Sequence, residues 1–365
     1  MTPRRFSQVL VSASPGDAVT NEALALRPAL RLLGESDIFA RYYDPSLAAD
    51  VLPLDEYGRR APSGAPGAAD DVLVVHGSIG EPAVADFLAG RPERLVLRYH
   101  NISPSAPFRT YDPVFAALLD EGRREVAALR PRVALALADS GFNAADLEAM
   151  GYAGVRVSPL VVDPADLCKL DSHRPTAEHL RTRVEGPVLL YVGQLLPHKR
   201  PDLLVQAFHV LATYVDPEAH LILVGPARLP GYRDAVQHLV HELSLPNAWV
   251  AGPVSPEALA AFYRRADAFV TASEHEGFCV PLLEAMAFDL PVGARAAGAI
   301  PETAGDAALV LPLDAGPLLM AEAMAALLHD DDLRAGLVER GRARLATFGP
   351  ERATAAFVGH LEELA

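Results

Sequence analysis

Two glutamates eight positions apart, Glu276 and Glu284, bracket the segment Gly277-Phe278-Cys279-Val280. An apolar run precedes the segment and helix-forming residues follow it, so the chain passes here from strand to helix. Backbone N–H groups near Gly277–Val280 then lie at a helix N-terminus, where they attract anions. A carboxylate just before such a turn can accept hydrogen bonds from sugar hydroxyls. Glu284, about one turn into the helix, is placed for a ribose diol. Taken alone, the pair reads first as a helix cap and an exposed helix residue.

A second segment, Val192-Gly193-Gln194-Leu195-Leu196-Pro197-His198-Lys199, ends a strand in glycine and brings a lysine to the next helix start. That arrangement carries a cation to a diphosphate lying across strand ends. Many α/β turns look alike, so it too is weak by itself. Of 32 cationic residues, however, only Lys169 and Lys199 are lysines. A lysine kept in an arginine-rich chain marks a place for a compact ammonium. His100 ends an apolar run, where a histidine is often a hydrogen-bonded turn residue, but the flanking Tyr99 and Asn101 favour a functional one; His76 ends another run and is a secondary cleft candidate. Cys279 invites a nucleophile reading, but no triad spacing accompanies it, and a small helix-start residue is the better one.

These residues need strands that end together. Gln8–Ala13, Ile38–Tyr43, Val72–His76, Leu95–His100, Val133–Ala138 and Val155–Val162 are short apolar runs bounded by turn residues, with helical stretches at Asn21–Leu33, Pro113–Leu129 and Ala144–Met150. Such runs suit strands covered on both faces. Residues 163–186 are polar and without clear period, and residues 166–186 read as a linker between a domain at 1–165 and another at 187–348. The second series has strands at Val188–Val192, His220–Val224, Trp249–Ala251, Ala268–Ala272, Pro291–Arg295 and Leu309–Leu311. Residues 58–69 read as a mobile loop. The fold class is α/β, two doubly wound Rossmann-like domains.

The chain has 365 residues, half of them apolar, enough for two domains. Its net charge of −15 argues against nonspecific nucleic-acid binding and leaves at most peripheral membrane contact. Arg123, Arg124, Arg130 and Arg132 form a basic cluster that reads first as a solvated helix face, with contact to an anionic acceptor as the alternative. No apolar run approaches the ~18–20 residues that span a bilayer. The N-terminus lacks a secretory h-region, and Cys168 and Cys279 offer neither a disulfide framework nor metal spacing. A cytoplasmic setting is expected.

The C-terminal half resembles the donor domain of family-4 (group 1) retaining glycosyltransferases, which have the GT-B fold. The resemblance rests on Glu-x7-Glu at Glu276 and Glu284, on Val192–Lys199, and on Ala297-Gly298-Ala299-Ile300-Pro301-Glu302, in the family's order and spacing. Leu97-Arg98-Tyr99-His100-Asn101-Ile102-Ser103-Pro104 resembles a segment of bacterial members that build surface or secondary-metabolite glycans. The resemblance implies two domains facing a central cleft and a metal-independent, retaining hexosyltransferase without cofactor. Its donor would be a UDP- or GDP-linked sugar, its acceptor a glycan, lipid-linked or small-molecule hydroxyl. It implies that Glu276 and His100 approach the transferred sugar, that Glu284 holds the ribose, and that Lys199 neutralises the diphosphate. Gly193, Gln194, Gly277, Phe278, Cys279 and Val280 are expected to line the donor site, with base selectivity expected from backbone contacts near Val254. Gly16 and His76 belong to the acceptor and phosphate side. The closing helix 350–364 is expected on the N-terminal domain. Where the family usually has arginine this chain has Gln194, which leaves Lys199, with Arg200 or Arg295, to balance the phosphate. Rival readings are a silent GT-B partner subunit and a GT-B phosphorylase or epimerase.

Overall fold

A computed structural model describes residues 4–62, 64 and 67–364. Two compact units divide the chain. The first comprises 1–109, 113–162 and 348–365, and the second 110–112 and 163–347.

In the first unit the strands are β1 (Phe6–Ala13), β2 (Ile38–Tyr43), β3 (Val51–Pro53), β4 (Val72–Gly77), β5 (Arg94–Tyr99), β6 (Val133–Ala138) and β7 (Arg156–Val157). They form one sheet in the order β3-β2-β1-β4-β5-β6-β7, and every pairing is parallel. All six residues of β4 are buried, as the apolar runs require of a sheet covered on both faces. The closing helix Pro350–Glu362 buries Ala353, Phe357 and Leu361 against Phe6, Leu26 and Val96 in this unit.

The second unit contains β8 (Val188–Val192), β9 (His220–Val224), β10 (Ala248–Gly252), β11 (Ala268–Thr271), β12 (Val292–Arg295) and β13 (Leu309–Leu311). Their order is β10-β9-β8-β11-β12-β13, again with parallel pairings throughout. The order reverses between β1 and β4 in one unit and between β8 and β11 in the other. Doubly wound sheets bind ligands at that reversal, beyond the carboxyl ends of the strands.

The structure departs from the sequence reading in several places. The run expected as a strand at Val155–Val162 is strand only over Arg156–Val157. Pro159 has no N–H for a ladder, and the carbonyls of Ser158 and Pro159 turn to Arg98 instead. The expected linker holds the helix Arg174–Arg183, which buries only Leu180, so its pattern is nearly all polar. Strand β3 and the helix Pro82–Ala89 went unread. In the expected loop, Tyr57–Arg60 forms a helical turn, and Ser63, Ala65 and Pro66 lie outside the described residues.

Candidate functional site

Two strand-end loops of the second unit meet at the reversal. Beyond β8, Gly193 is crowded by its neighbour. A Cβ on Gly225 would lie 2.1 Å from Gly193 O, so the two backbones pass closer than side chains allow. The chain then makes a 3-10 turn at Pro197–Lys199 before the helix Pro201–Tyr214. Lys199 therefore closes the turn, and Arg200 caps the helix with φ 52°. Glu274 N donates to His198 O at 2.7 Å, tying this loop to the one beyond β11.

That tie brings the predicted charges together. Lys199 Nζ lies 2.6 Å from Glu276 Oε2, and Ser273 Oγ donates to Glu276 Oε1 at 2.7 Å. Glu276 is buried and Lys199 half-buried, so their pairing is stronger than that of a surface pair. A third loop holds Glu276 from its backbone: Ala299 N donates to Glu276 O at 2.9 Å. Gly298, at φ +56°, could not carry a side chain, since its Cβ would fall 2.2 Å from Glu276 O. The Ala297–Glu302 segment is thus a brace for Glu276.

The helix Val280–Ala287 starts after Cys279, which has φ 74° and ψ 65°. Phe278 is buried, and its carbonyl accepts from Thr303 Oγ1 at 2.7 Å. Burial pushes the Cys279 thiol well above its ordinary range, which makes it inert as a nucleophile. Glu284 accepts from Tyr263 Oη at 2.8 Å. Burial raises its pKa, and the tyrosine hydrogen bond opposes the rise. Gln194 is exposed, and Val254 is half-buried in the loop after β10.

The two arginines considered as substitutes for the missing charge differ. Arg200 makes a two-pronged contact with Asp202, at 3.1 Å from Nε and 3.0 Å from Nη2, and also pairs with Glu274. Its charge is spent locally. Arg295, at the end of β12, is buried, donates to Ala272 O at 3.1 Å and leaves its Nε without a partner. Burial lowers its pKa.

In the first unit, Gly16 (φ +77°) is exposed in the turn after β1. His76 and His100 come together with Nδ1 and Nε2 2.8 Å apart. His76 Nε2 also meets Gln8 Oε1 at 3.0 Å, and His100 Nδ1 meets Asp139 Oδ2 at 2.9 Å. Beneath them Arg98 grips Glu22, with Nε to Oε2 at 3.0 Å and Nη2 to Oε1 at 2.6 Å. Glu22, Arg98 and Asp139 were missed in the sequence. The available signal was the Asp-Ser step that ends the Val133–Ala138 run. Glu22, His76 and His100 each place one ligating atom within 4.8 Å of the others. That set does not fit a metal ion, because Arg98 occupies both Glu22 oxygens and the two rings bond to each other.

The basic cluster is consumed within this unit. Arg123 pairs with Asp146, Arg124 with Glu121, and Arg130 and Arg132 donate to backbone carbonyls.

Residues 175–344 match the family described as glycosyl transferases group 1. Over 185 residues the chain is 33% identical to a D-inositol 3-phosphate glycosyltransferase of Xylanimonas cellulosilytica, an alignment covering 50% of this chain and 43% of that protein. It is 33% identical over 167 residues to the O-antigen chain mannosyltransferase B of Escherichia coli, covering 45% and 43%. The chain thus spans less than half the length of these relatives. Among solved structures, Anabaena HepE in complex with UDP and glucose superposes with a TM-score of 0.76 at 18% identity, covering 99% of this chain and 100% of that one. WaaG, a glycosyltransferase involved in lipopolysaccharide biosynthesis, gives 0.72 at 13% identity, covering 96% and 98%. The shared fold is GT-B. Among the described residues no helix is long and apolar enough to cross a membrane.

Proposed function

We propose, from a chain whose residues 175–344 belong to glycosyl transferases group 1, that this protein is a retaining, metal-independent hexosyltransferase. It moves a sugar from a UDP- or GDP-linked donor to the hydroxyl of a glycan, lipid-linked or small-molecule acceptor. The observation that carries the reading is the Lys199–Glu276 pair at 2.6 Å, set at the reversal of the second sheet.

Breaking the bond between the anomeric carbon and the phosphate oxygen leaves charge on the diphosphate and an oxocarbenium-like sugar. A fixed ammonium and helix N–H donors lower the barrier by meeting charge where it develops. Lys199 and the amides at Phe278–Val280 are assigned to the diphosphate, Glu276 to the sugar hydroxyls, and Glu284 to the ribose. On substrate entry Lys199 exchanges part of its bond with Glu276 for phosphate oxygens. No residue of the second-unit site stands out as a covalent nucleophile, which favours front-face attack of the acceptor hydroxyl within an ion pair. The acceptor hydroxyl bonds to the anomeric carbon, and its proton leaves with the diphosphate. The first unit is assigned to the acceptor.

The test is a nucleotide-sugar panel read by mass, with thermal shift in UDP, GDP and ADP alongside. Stabilisation by UDP or GDP, and donor-sugar hydrolysis lost in Glu276→Ala, is the expected result. A chain stabilised by none of the three nucleotides would overturn the assignment and favour a silent partner subunit.

A further inference from the structure

The buried chain Gln8–His76–His100–Asp139 needs one proton more than two neutral imidazoles and a carboxylate supply. Gln8 Nε2 donates to Ala23 O at 2.9 Å, so Gln8 Oε1 meets His76 Nε2 as an acceptor. Three contacts follow: His76 Nε2 with Gln8 at 3.0 Å, His76 Nδ1 with His100 Nε2 at 2.8 Å, and His100 Nδ1 with Asp139 Oδ2 at 2.9 Å. Each requires one proton between its atoms, and a neutral imidazole carries one N–H. Without a third proton, one of the three contacts sets lone pair against lone pair: the two rings at 2.8 Å, the His100 ring and the Asp139 carboxylate at 2.9 Å, or the His76 ring and the Gln8 carbonyl oxygen at 3.0 Å.

The third proton has three possible homes. Asp139 Oδ1 lies 2.9 Å from Arg98 Nη2, so a proton placed on this carboxyl would give up an ion pair with a buried guanidinium. His76 is buried; its Nε2 meets the neutral amide of Gln8, and the Glu22 oxygen within 4.8 Å of the ring belongs to a carboxylate already held by Arg98. His100 lies between Asp139 and Glu22, whose Oε2 is 3.5 Å from Nε2. The charge count agrees. Glu22 and Asp139 stand against the single guanidinium of Arg98, all three buried, and a buried excess charge is costly. The charged and titratable groups facing His100 are Glu22 from the helix Ala18–Leu33, His76 from β4, Arg98 from β5 and Asp139 beyond β6.

We infer that Asp139 is a positioning residue that holds His100 as a doubly protonated imidazolium, with His76 as its neutral acceptor. His100 is then a fixed cation and proton donor, and cannot be the base that takes a proton from an acceptor hydroxyl. The electrostatics agree. Burial opposes charge on His100, but Asp139 and Glu22 outweigh it and raise its pKa above the ordinary histidine value. Burial drives His76 well below that value. The catalytic meaning rests on the sugar-transferase reading, in which a cation at this strand end stabilises developing negative charge.

The test uses the full chain labelled with 15N-histidine and long-range 1H–15N correlation spectra at pH 7.5. The signals lost in His100→Gln are expected to come from a ring protonated at both nitrogens. Those of His76 should show a protonated Nε2 and a bare Nδ1. Asp139→Asn is expected to leave His100 neutral at pH 7.5, and Asp139→Glu to restore the cation. In transfer assays, Asp139→Asn should move the alkaline limb of kcat down by about one to three pH units, with little change in KM. A neutral His100 in the wild-type spectrum overturns the inference, and that spectrum decides even if the variants fail to fold. A cationic His100 in a chain that transfers no sugar would uphold the charge assignment and overturn the transferase reading instead.

Discussion

Lys199 Nζ and Glu276 Oε2 lie 2.6 Å apart across 77 residues of sequence, joined by loops that leave β8 and β11 at the point where the sheet order reverses. The pair is a resting arrangement for two groups assigned to opposite ends of one bond, the phosphate and the sugar. Removing either leaves the other underpaired in a largely buried position. Lys199→Ala is therefore expected to lower kcat by about 10²–10³-fold, the range for losing one preorganised donor. Lys199→Arg should recover part of it. The Lys199→Ala/Glu276→Ala double variant should be little worse than the poorer single one, since coupled residues are not additive. Steady-state kinetics on the four proteins measures the cycle. Turnover within a few-fold of wild type in Lys199→Ala would sink the phosphate assignment.

The brace at Gly298 makes a separate prediction. A methyl there would collide with Glu276 O, at a φ of +56° that side chains rarely adopt. Gly298→Ala is expected to cost about 1–3 kcal/mol of stability and to depress kcat by displacing Glu276. Gly231, in the helix Pro230–Glu242, has open space around its Cβ position and no left-handed φ. Gly231→Ala should be neutral or slightly stabilising. Thermal melts of the two variants side by side distinguish a local collision from general sensitivity to glycine replacement. Equal melting temperatures would remove the brace from the account.

Legibility in the sequence followed the range of the interactions. Strand runs such as Val72–Gly77 are written locally, because burial on both faces demands consecutive apolar residues. Glu276, Glu284 and Lys199 were singled out through the resemblance, whose motifs keep a fixed order and spacing; taken alone, the same residues read as a helix cap, an exposed helix residue and an ordinary α/β turn. The Glu22–Arg98–Asp139 cluster was not, since its members come from a helix, a strand interior and a loop with no fixed spacing. Within a strand that reads as apolar, Arg98 is accommodated only because two carboxylates and the Ser158 carbonyl surround it. The helix Arg174–Arg183 escaped for the opposite reason. With one buried residue it carries almost no amphipathic signal.

Gln194 stands where the resemblance expects arginine, and it is exposed at the loop beyond β8. Arg200, already held by Asp202 and Glu274, does not replace the charge. Gln194→Arg is therefore expected to tighten UDP or GDP binding, about three- to tenfold at low ionic strength. The gain should shrink as salt screens an exposed charge. Isothermal titration at two salt concentrations checks it. Unchanged affinity at both would mean that position 194 does not face the diphosphate.

Glu284 links nucleotide binding to pH. Burial raises its pKa above the ordinary value of 4.5, against the opposing hydrogen bond from Tyr263. A carboxyl with a raised folded-state value binds its proton more tightly in the folded chain than in the unfolded one. The stability this brings is present below pH 4.5 and is lost as pH rises through the folded-state value. At neutral pH the half-buried carboxylate is thus a cost to the free protein, retained for a ligand that donates hydroxyl hydrogen bonds. Glu284→Gln keeps the shape and removes the charge. It is expected to raise Tm at pH 8, by about 2–4 °C for each kcal/mol relieved, with the difference vanishing near pH 4. The same variant should bind nucleotide about tenfold more weakly or worse, as the loss of a charge-assisted hydrogen bond implies. Melting curves across pH and nucleotide titrations together decide the point. A variant that gains stability at pH 8 yet binds UDP and GDP as tightly as wild type would detach Glu284 from the ribose.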